Sequence, residues 1–388
     1  MPGFKKYFIL PLYILLSVHC IGQPADTLTI ESLLQSIAAL QSEHASDFPD
    51  GGFISYRKYQ YSNEYKLDYN SFFTALVLYN INRYKDYLTP EEYTIAEQMK
   101  AKCLPYFELF KDKKNKLIYN FWPKYPPVCF PNGGWLNLLN KADALSDDID
   151  DCSMINLAIG ISKLQADSLK HCYLQVINGK NKHSNGFYKH YQQSPVYSTW
   201  LGAKMNIDID LCVLCNAVLF SYNYHLPLTQ TDTASMNLIV DMVQQRKYIT
   251  DAGYVSMHYE NTSTIIYHIA RLIHFSNYPP LLALKPQLIK EARKRLATSP
   301  FALEKLLLQN ALLQLGDRDA ALIPTNRSEL LSEDYPFFIA NMAAITINPF
   351  KRIFKNSKIG RFSYYSYAFN LSLLFENKVL WQRVFKLQ

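Results

Sequence analysis

Four carboxylates fall within five positions of this chain, in Asp147-Asp148-Ile149-Asp150-Asp151, just before the apolar stretch Met154-Ile155-Asn156-Leu157-Ala158-Ile159. Capping a helix takes only one of them. Crowded carboxylates repel one another. That repulsion, with burial, raises the pKa of at least one group until it holds a proton near neutral pH and can donate it. The helix N-terminus works in the opposite direction and favours the ionised form. Proton donation therefore requires desolvation and repulsion to prevail at one member of the set.

A second acidic start, Asn206-Ile207-Asp208-Ile209-Asp210, precedes the apolar run Leu211 to Leu219. Asp208 and Asp210 lie two apart, so an extended backbone directs both to one side, where they are candidates for binding substrate. Two carboxylates facing each other across a cleft are also the apparatus of glycoside hydrolysis. His258 and Glu260, in Met257-His258-Tyr259-Glu260, precede another apolar stretch and are candidates for a base or an orienting group. His190, in Gly186-Phe187-Tyr188-Lys189-His190, reads more simply as a solvated loop histidine. Aromatic faces stabilise positive charge, and the chain is rich in them, with 29 Tyr and 22 Phe. Trp122 and Trp200 are candidates to line a substrate site, as are Phe72, Phe73, Tyr79 and Phe121.

These groups must be positioned by helices, because 3.6-residue periodicity dominates the sequence. It predicts helices over 30–44, 68–83, 89–110, 151–164, 166–176, 211–222, 232–245, 263–274, 285–297 and 301–315. Thr89-Pro90-Glu91-Glu92 is a capping box with Pro at the first helical position. A Gly-aromatic turn recurs at Gly52-Phe53, Gly186-Phe187, Gly253-Tyr254 and Gly360-Arg361-Phe362. After each of the first three comes a polar helix start, at Asp68-Tyr69-Asn70, at Asn206 to Asp210 and at Glu260-Asn261-Thr262. Asp68 reads as the cap of its own helix. The irregular spacing excludes a solenoid of fixed period. It fits helical hairpins arranged in a ring whose inner helices all start at one end, so that the acidic starts converge on one mouth.

Asp148, Asp150 and Asp151 form an Asp-x-Asp-Asp pattern that resembles the acid motif of class II terpene cyclases, with Cys152 and Ser153 following where that family continues with Thr. Together with the hairpins and Gly-aromatic turns, it is similar to the all-α, α-α toroid shared by terpenoid cyclases and protein prenyltransferases, over about residues 48–374. The resemblance implies that Asp150 is a general acid held and polarised by Asp148 and Asp151. It implies acid-initiated cyclisation or isomerisation of an isoprenoid-like substrate. Asp210-Leu211-Cys212 with His268 also resembles the zinc ligands of prenyltransferase β subunits, an open-site donor set that suits catalytic zinc and that stays undecided here.

The termini and composition bound the rest. Lys5-Lys6, the apolar run Tyr7 to Val18 and Cys20-Ile21-Gly22 read as a signal peptide over 1–22. A single exported domain over 23–388 is then expected. The apolar run is short for a spanning helix, although an uncleaved anchor or a lipoprotein would export the chain equally. The net charge of +7 has no dense basic run, which argues against nucleic acid as a partner. Peripheral contact with a membrane stays among the expectations. With no glycine loop to cradle phosphate, no organic cofactor is implied. Of the seven Cys, six remain beyond the leader, at 103, 129, 152, 172, 212 and 215. Export permits disulfides between them, while their apolar helical settings equally fit buried thiols. Cys212-x-x-Cys215 is expected to face a core. Two other functions stay open: a secreted (α/α)-barrel hydrolase or lyase acting on glycans through paired carboxylates, and a toroid that binds a lipid or glycan without chemistry.

Overall fold

The computed structural model describes residues 28–43, 47–115, 117–132, 146–202, 205–317, 327–332 and 334–384. The expected signal peptide lies outside the described residues. Six long helices are apolar around nearly their whole circumference: α2 (Ser71–Asn82), α4 (Ile149–Ile159), α6 (Leu211–Asn223), α10 (Thr262–Phe275), α13 (Ala302–Gln314) and α16 (Tyr367–Val379). Such a helix has no face to give to water and must be covered on all sides. The covering is reciprocal: α2 packs on α4, α4 on α6, α6 on α10, α10 on α13, α13 on α16, and α16 returns to α2.

Helices with a single apolar stripe lie outside them, where one face can meet solvent. Of these, α1 (Ile30–Ala38) packs on α16 and on α3 (Pro90–Glu108), which also meets α2. Next come α5 (Lys163–Tyr173) and α7 (Gln230–Gln244); α7 packs on α6, and Lys170 of α5 pairs with Asp232 of α7 at 2.6 Å. Short helices α8 (Lys247–Thr250), α9 (Ala252–Val255) and α11 (Pro279–Leu282) lead to α12 (Lys285–Thr298), which lies against α10 and α13. Finally α14 (Arg327–Ser332) packs on α16, and α15 (Phe350–Phe354) sits in the segment before the last strand. The expected capping box of α3 forms, and Ser162 with Gln165 and Thr229 with Asp232 make two more. Among the described residues no helix is long and apolar enough to cross a membrane.

The all-α expectation needs correction. A four-stranded antiparallel sheet, in the order β2-β1-β4-β3, joins the first quarter of the chain to its last: β1 (Tyr56–Tyr59), β2 (Tyr65–Leu67), β3 (Phe338–Asn341) and β4 (Arg361–Tyr365). Phe338 pairs with Tyr364 and Ala340 with Phe362 across β3 and β4. Gly360-Arg361-Phe362 therefore opens a strand, whereas Gly253-Tyr254 lies inside α9. Gly52-Phe53 makes a single bridge to Gln41. Strands of three to five residues, with β1 paired to β4 across more than 300 positions, leave too short an alternation to be read locally. Asp68 is corrected as well. Asn70 caps α2, its side chain accepting from the Phe73 amide at 3.1 Å. Asp68 is instead buried against the Arg57 guanidinium and accepts the indole N–H of Trp122 at 3.1 Å.

Cys103, Cys152, Cys172, Cys212 and Cys215 are free thiols, and of the six cysteines within the described residues all but Cys172 are buried. Cys212 and Cys215 face the core within α6.

Candidate functional site

A cavity of about 440 Å³ opens at the N-terminal ends of α4 and α6, under the sheet. Its walls are mostly aromatic: Phe121, Trp122, Phe130, Trp200, Phe338 and Tyr364. Val213, Met205, Met342, Ala344 and Ile345 add aliphatic surface. Asp148, Asp150, His258, Thr199 and Asn341 are the polar side chains that reach it. The expected candidates Asp148, Asp150, Trp122, Trp200 and His258 are thus brought together on one cavity.

The local backbone explains their placement. Asp148 caps α4, its Oδ1 accepting from the Asp151 amide at 2.7 Å. Residues 147–149 bridge to 199–201, with Ile149 N donating to Thr199 O at 2.9 Å and Leu201 N to Asp147 O at 2.8 Å, which sets Trp200 beside the start of α4. Asp150 and Asp151 then occupy the first turn of the helix. Asp147 faces outward and pairs with Lys124 at 2.9 Å. Trp122 packs at 4.4 Å on Phe130, and Phe121 stacks on Phe338 at 5.4 Å.

Asp150 is held from two sides. Its Oδ1 accepts from Asn216 Nδ2 at 2.5 Å, and its Oδ2 accepts from the Tyr259 hydroxyl. Asn216 is itself oriented, because the Arg271 guanidinium donates to its Oδ1. A guanidinium can only donate, so it fixes the amide with Nδ2 towards Asp150. Nδ2 can also only donate, so Oδ1 of Asp150 is committed as an acceptor. When Asp150 is protonated, the proton resides on Oδ2, and the Tyr259 hydroxyl becomes its acceptor. Arg271 is fully buried, flanked by the rings of Tyr79 and Tyr267, each 5.4 Å from its guanidinium carbon.

Burial pushes the Asp150 carboxyl up to about 6, against the lowering effect of the Tyr259 and Asn216 hydrogen bonds and with added repulsion from Asp210. Burial, then the charge of Asp150, raises Asp148. Burial and the charges of Asp148 and Asp150 raise Asp151 well above the usual carboxylate range. Asp151 does not line the cavity. It lies behind the other two, with Oδ2 buried and unpartnered and Oδ1 3.4 Å from the Ser71 hydroxyl.

Asp208 and Asp210 do not line the cavity either. Asp210 caps α6, its Oδ1 accepting from the Cys212 and Val213 amides at 2.9 and 3.3 Å and from the Ser256 hydroxyl at 2.7 Å. Its Oδ2 accepts from the His258 amide at 3.0 Å, so Asp210 positions the loop that carries His258. Asp208 pairs with the buried Lys351 ammonium at 2.5 Å, and its Oδ2 lies 3.5 Å from His258 Nε2. Burial opposes ionisation of Asp208, but Lys351 and then His258 outweigh it and hold the carboxyl well below its ordinary range. Burial likewise opposes protonation of His258, and the carboxylates of Asp208, Asp210 and Asp148 reverse that and raise its pKa.

Among the described residues no three His, Cys, Asp or Glu side chains come close enough to hold a metal ion, so Asp210, Cys212 and His268 do not gather as ligands. His268 Nδ1 lies 2.8 Å from the Thr264 carbonyl one helical turn earlier. Glu260 pairs with Arg361, and His190 is exposed. Phe72 and Phe73 pack in the core beneath the sheet, Phe72 at 5.2 Å from Phe338.

Sequence reasoning missed Asn216, Arg271, Tyr259, Phe338 and Tyr364. The available signal was a polar residue within an otherwise apolar helix, as at Asn216 and Arg271, since a buried polar group must find a partner. No family model, curated protein or solved structure matches this chain.

Proposed function

We propose that this chain is an exported α-α toroid enzyme that protonates a neutral, isoprenoid-like substrate, with Asp150 as general acid. The cyclic packing order of the six inner helices supports the toroid reading, with the small sheet covering the mouth at which α4 and α6 begin. A single observation carries the chemistry: a carboxyl raised to about 6, with its proton confined to one oxygen, borders an aromatic cavity. In the reaction the O–H bond of Asp150 breaks as a C–H bond forms on an alkene carbon, leaving a carbocation. Aromatic faces stabilise that cation, and the nearby carboxylates attract it. Loss of a proton from the product cation to the Asp150 carboxylate closes a redox-neutral isomerisation or cyclisation.

The lining also narrows the substrate. At about 440 Å³ the cavity lies within the usual range for small-molecule sites, about 300–1,000 Å³. Among the described lining residues His258 is the one basic side chain, which favours an uncharged hydrocarbon or alcohol over a diphosphate. The glycan reading needs Asp208 or Asp210 across a polar cleft from Asp150. Those carboxylates are instead engaged with Lys351, Ser256 and the Cys212, Val213 and His258 amides.

The test is incubation of the protein in D₂O with farnesol, geranylgeraniol and squalene, with products read by mass spectrometry. The expected result is an isomer or cyclised product carrying one deuterium from solvent, with its rate reduced about 10²–10⁴-fold by Asp150→Asn. An unchanged rate in that variant removes Asp150 as the donor. Binding of these molecules without any deuterium incorporation replaces the enzyme with a carrier.

A further inference from the structure

The strap between β3 and β4, residues 342–360, crosses the cavity mouth and is built unlike the rest of the surface. Met342, Ala344 and Ile345 line the cavity from it. The same short segment exposes Ile345, Ile347, Phe350, Ile353, Phe354 and Ile359, with Phe350 at 57%, Ile353 at 66% and Ile359 at 67%. Single exposed apolar residues are ordinary, but a contiguous group of this kind marks a contact surface. These side chains do not result from a loose strap. Buried Lys351 anchors it to Asp208 at 2.5 Å, Asn348 Nδ2 donates to the Tyr254 hydroxyl at 2.8 Å, and Asn348 N donates to the Asn185 carbonyl at 2.9 Å. The polar residues of the strap hold it down, and its apolar residues are turned outward.

The charge of the segment identifies what covers it. Between Asp334 and Glu376 the sequence has no acidic residue and five basic ones, Lys351, Arg352, Lys355, Lys358 and Arg361. Arg352 and Lys355 both lie on Asp251, so one carboxylate answers two cations, and Lys358 is exposed beside Ile359. Apolar side chains flanked by excess positive charge match the interface of an anionic bilayer, where acyl chains take the former and headgroups attract the latter.

We propose that the strap is a membrane-docking surface that seats the cavity mouth on an anionic lipid bilayer. Met342 and Ile345 are both cavity wall and exposed surface, so an apolar molecule leaving the bilayer there would enter the cavity without crossing water. The inference stands on exposure and charge, is scored without substrate, and does not depend on the role given to Asp150.

The experiment is hydrogen exchange of the full chain with and without vesicles of phosphatidylcholine and phosphatidylglycerol, alongside vesicle sedimentation. The expected result is slower exchange of amides 342–360 on adding vesicles, lost in phosphatidylcholine alone. A Phe350→Ser, Ile353→Ser, Ile359→Ser variant, altered only at exposed positions, is expected to lose that protection and at least about tenfold in partitioning attributable to the strap. Sedimentation through the N-terminal apolar run with no change at 342–360 overturns the proposal. So does concentration-dependent protection of the strap without vesicles in a chain that runs as a dimer, which would make a second copy its occupant.

Discussion

Replacing Asp150 by Asn should make the protein more stable, and by an amount that depends on pH. The carboxyl is 5% exposed, and its pKa is raised from 3.8 to about 6 by burial, with repulsion from Asp210. A carboxyl whose folded pKa is raised favours the protonated form in the fold. Its penalty is absent below the unfolded value near 3.8, grows as pH rises from there to about 6, and is constant above. Each pKa unit corresponds to about 1.4 kcal/mol, so ionised Asp150 costs about 3 kcal/mol at pH 8 and under about 1 kcal/mol at pH 4. Asn reproduces the neutral acid: its oxygen accepts from Asn216 Nδ2, and its amide donates to the Tyr259 hydroxyl, which turns from donor to acceptor. Urea unfolding followed by tryptophan fluorescence at pH 4, 6 and 8 reads the difference. With a slope of about 3 kcal/mol/M for a chain of this size, the midpoint of Asp150→Asn should lie about 1 M above wild type at pH 8 and close to it at pH 4. A lower midpoint at pH 8, or an offset that does not change with pH, would refute the reasoning, because either means that Asp150 is not a strained, desolvated acid.

Turnover should fall about tenfold per pH unit above about 6, as the neutral form of Asp150 disappears; a pH–rate profile in the presence of a processed isoprenoid checks this. Asn216→Leu removes the hydrogen bond that favours the Asp150 carboxylate, so it should lower kcat with little change in KM and move that limb to higher pH, a shift that simple loss of packing would not produce. Arg57→Met leaves buried Asp68 without its cation, beside the Trp122 indole, and should destabilise the fold by about 3–5 kcal/mol in urea unfolding. Asp208→Asn strands buried Lys351 and should release the strap before the rest of the molecule unfolds, seen as faster exchange or proteolysis within 342–360.

The helices were legible wherever an apolar pattern ran for three turns or more. The predicted 211–222, 263–274, 285–297 and 301–315 each end within a residue or two of the observed α6, α10, α12 and α13. Boundaries failed where a side chain rather than periodicity set them. The helix predicted to reach His44 ends at Ala38, because Gln41 turns to donate to the carbonyls of Gly51 and Met99 at 2.8 and 3.0 Å. The helix predicted over 151–164 runs from Ile149, behind its Asp148 cap, to Gly160, whose φ of +73° ends it in the left-handed region that favours glycine. α16 was not foreseen, since Asn370, Ser372, Glu376 and Asn377 interrupt its apolar pattern as surface residues would. All four are buried, and Glu376 accepts from Tyr84, Tyr267, Asn310 and Gln314 on distant parts of the chain. Of the site, the acidic cluster and three of its aromatics, Phe121, Trp122 and Trp200, could be read because they are local in sequence. The partners that decide how Asp150 behaves lie 66 and 109 positions away, at Asn216 and Tyr259; a polar residue in an apolar helix marks Asn216 as needing a partner, but no local pattern says which.

These distant partners resolve the conflict at the N-terminus of α4. An acid poised for a hard protonation must hold its proton before the reaction and tolerate losing it afterwards. Burial, with repulsion from the Asp210 carboxylate, meets the first need. Arg271, acting through Asn216, meets the second. Among the described residues no carboxylate pairs with it; it is buried between two tyrosine rings, and Tyr267 in turn donates to Glu376 at 2.8 Å. Glu376 is already matched by Arg83 at 3.1 Å, so along this line of buried groups Arg271 carries the unmatched positive charge. Ionisation of Asp150 supplies the missing negative charge. The same arrangement that makes the resting acid neutral therefore favours its conjugate base once a cation has formed in the cavity, and it does so through hydrogen bonds fixed in the fold before substrate arrives.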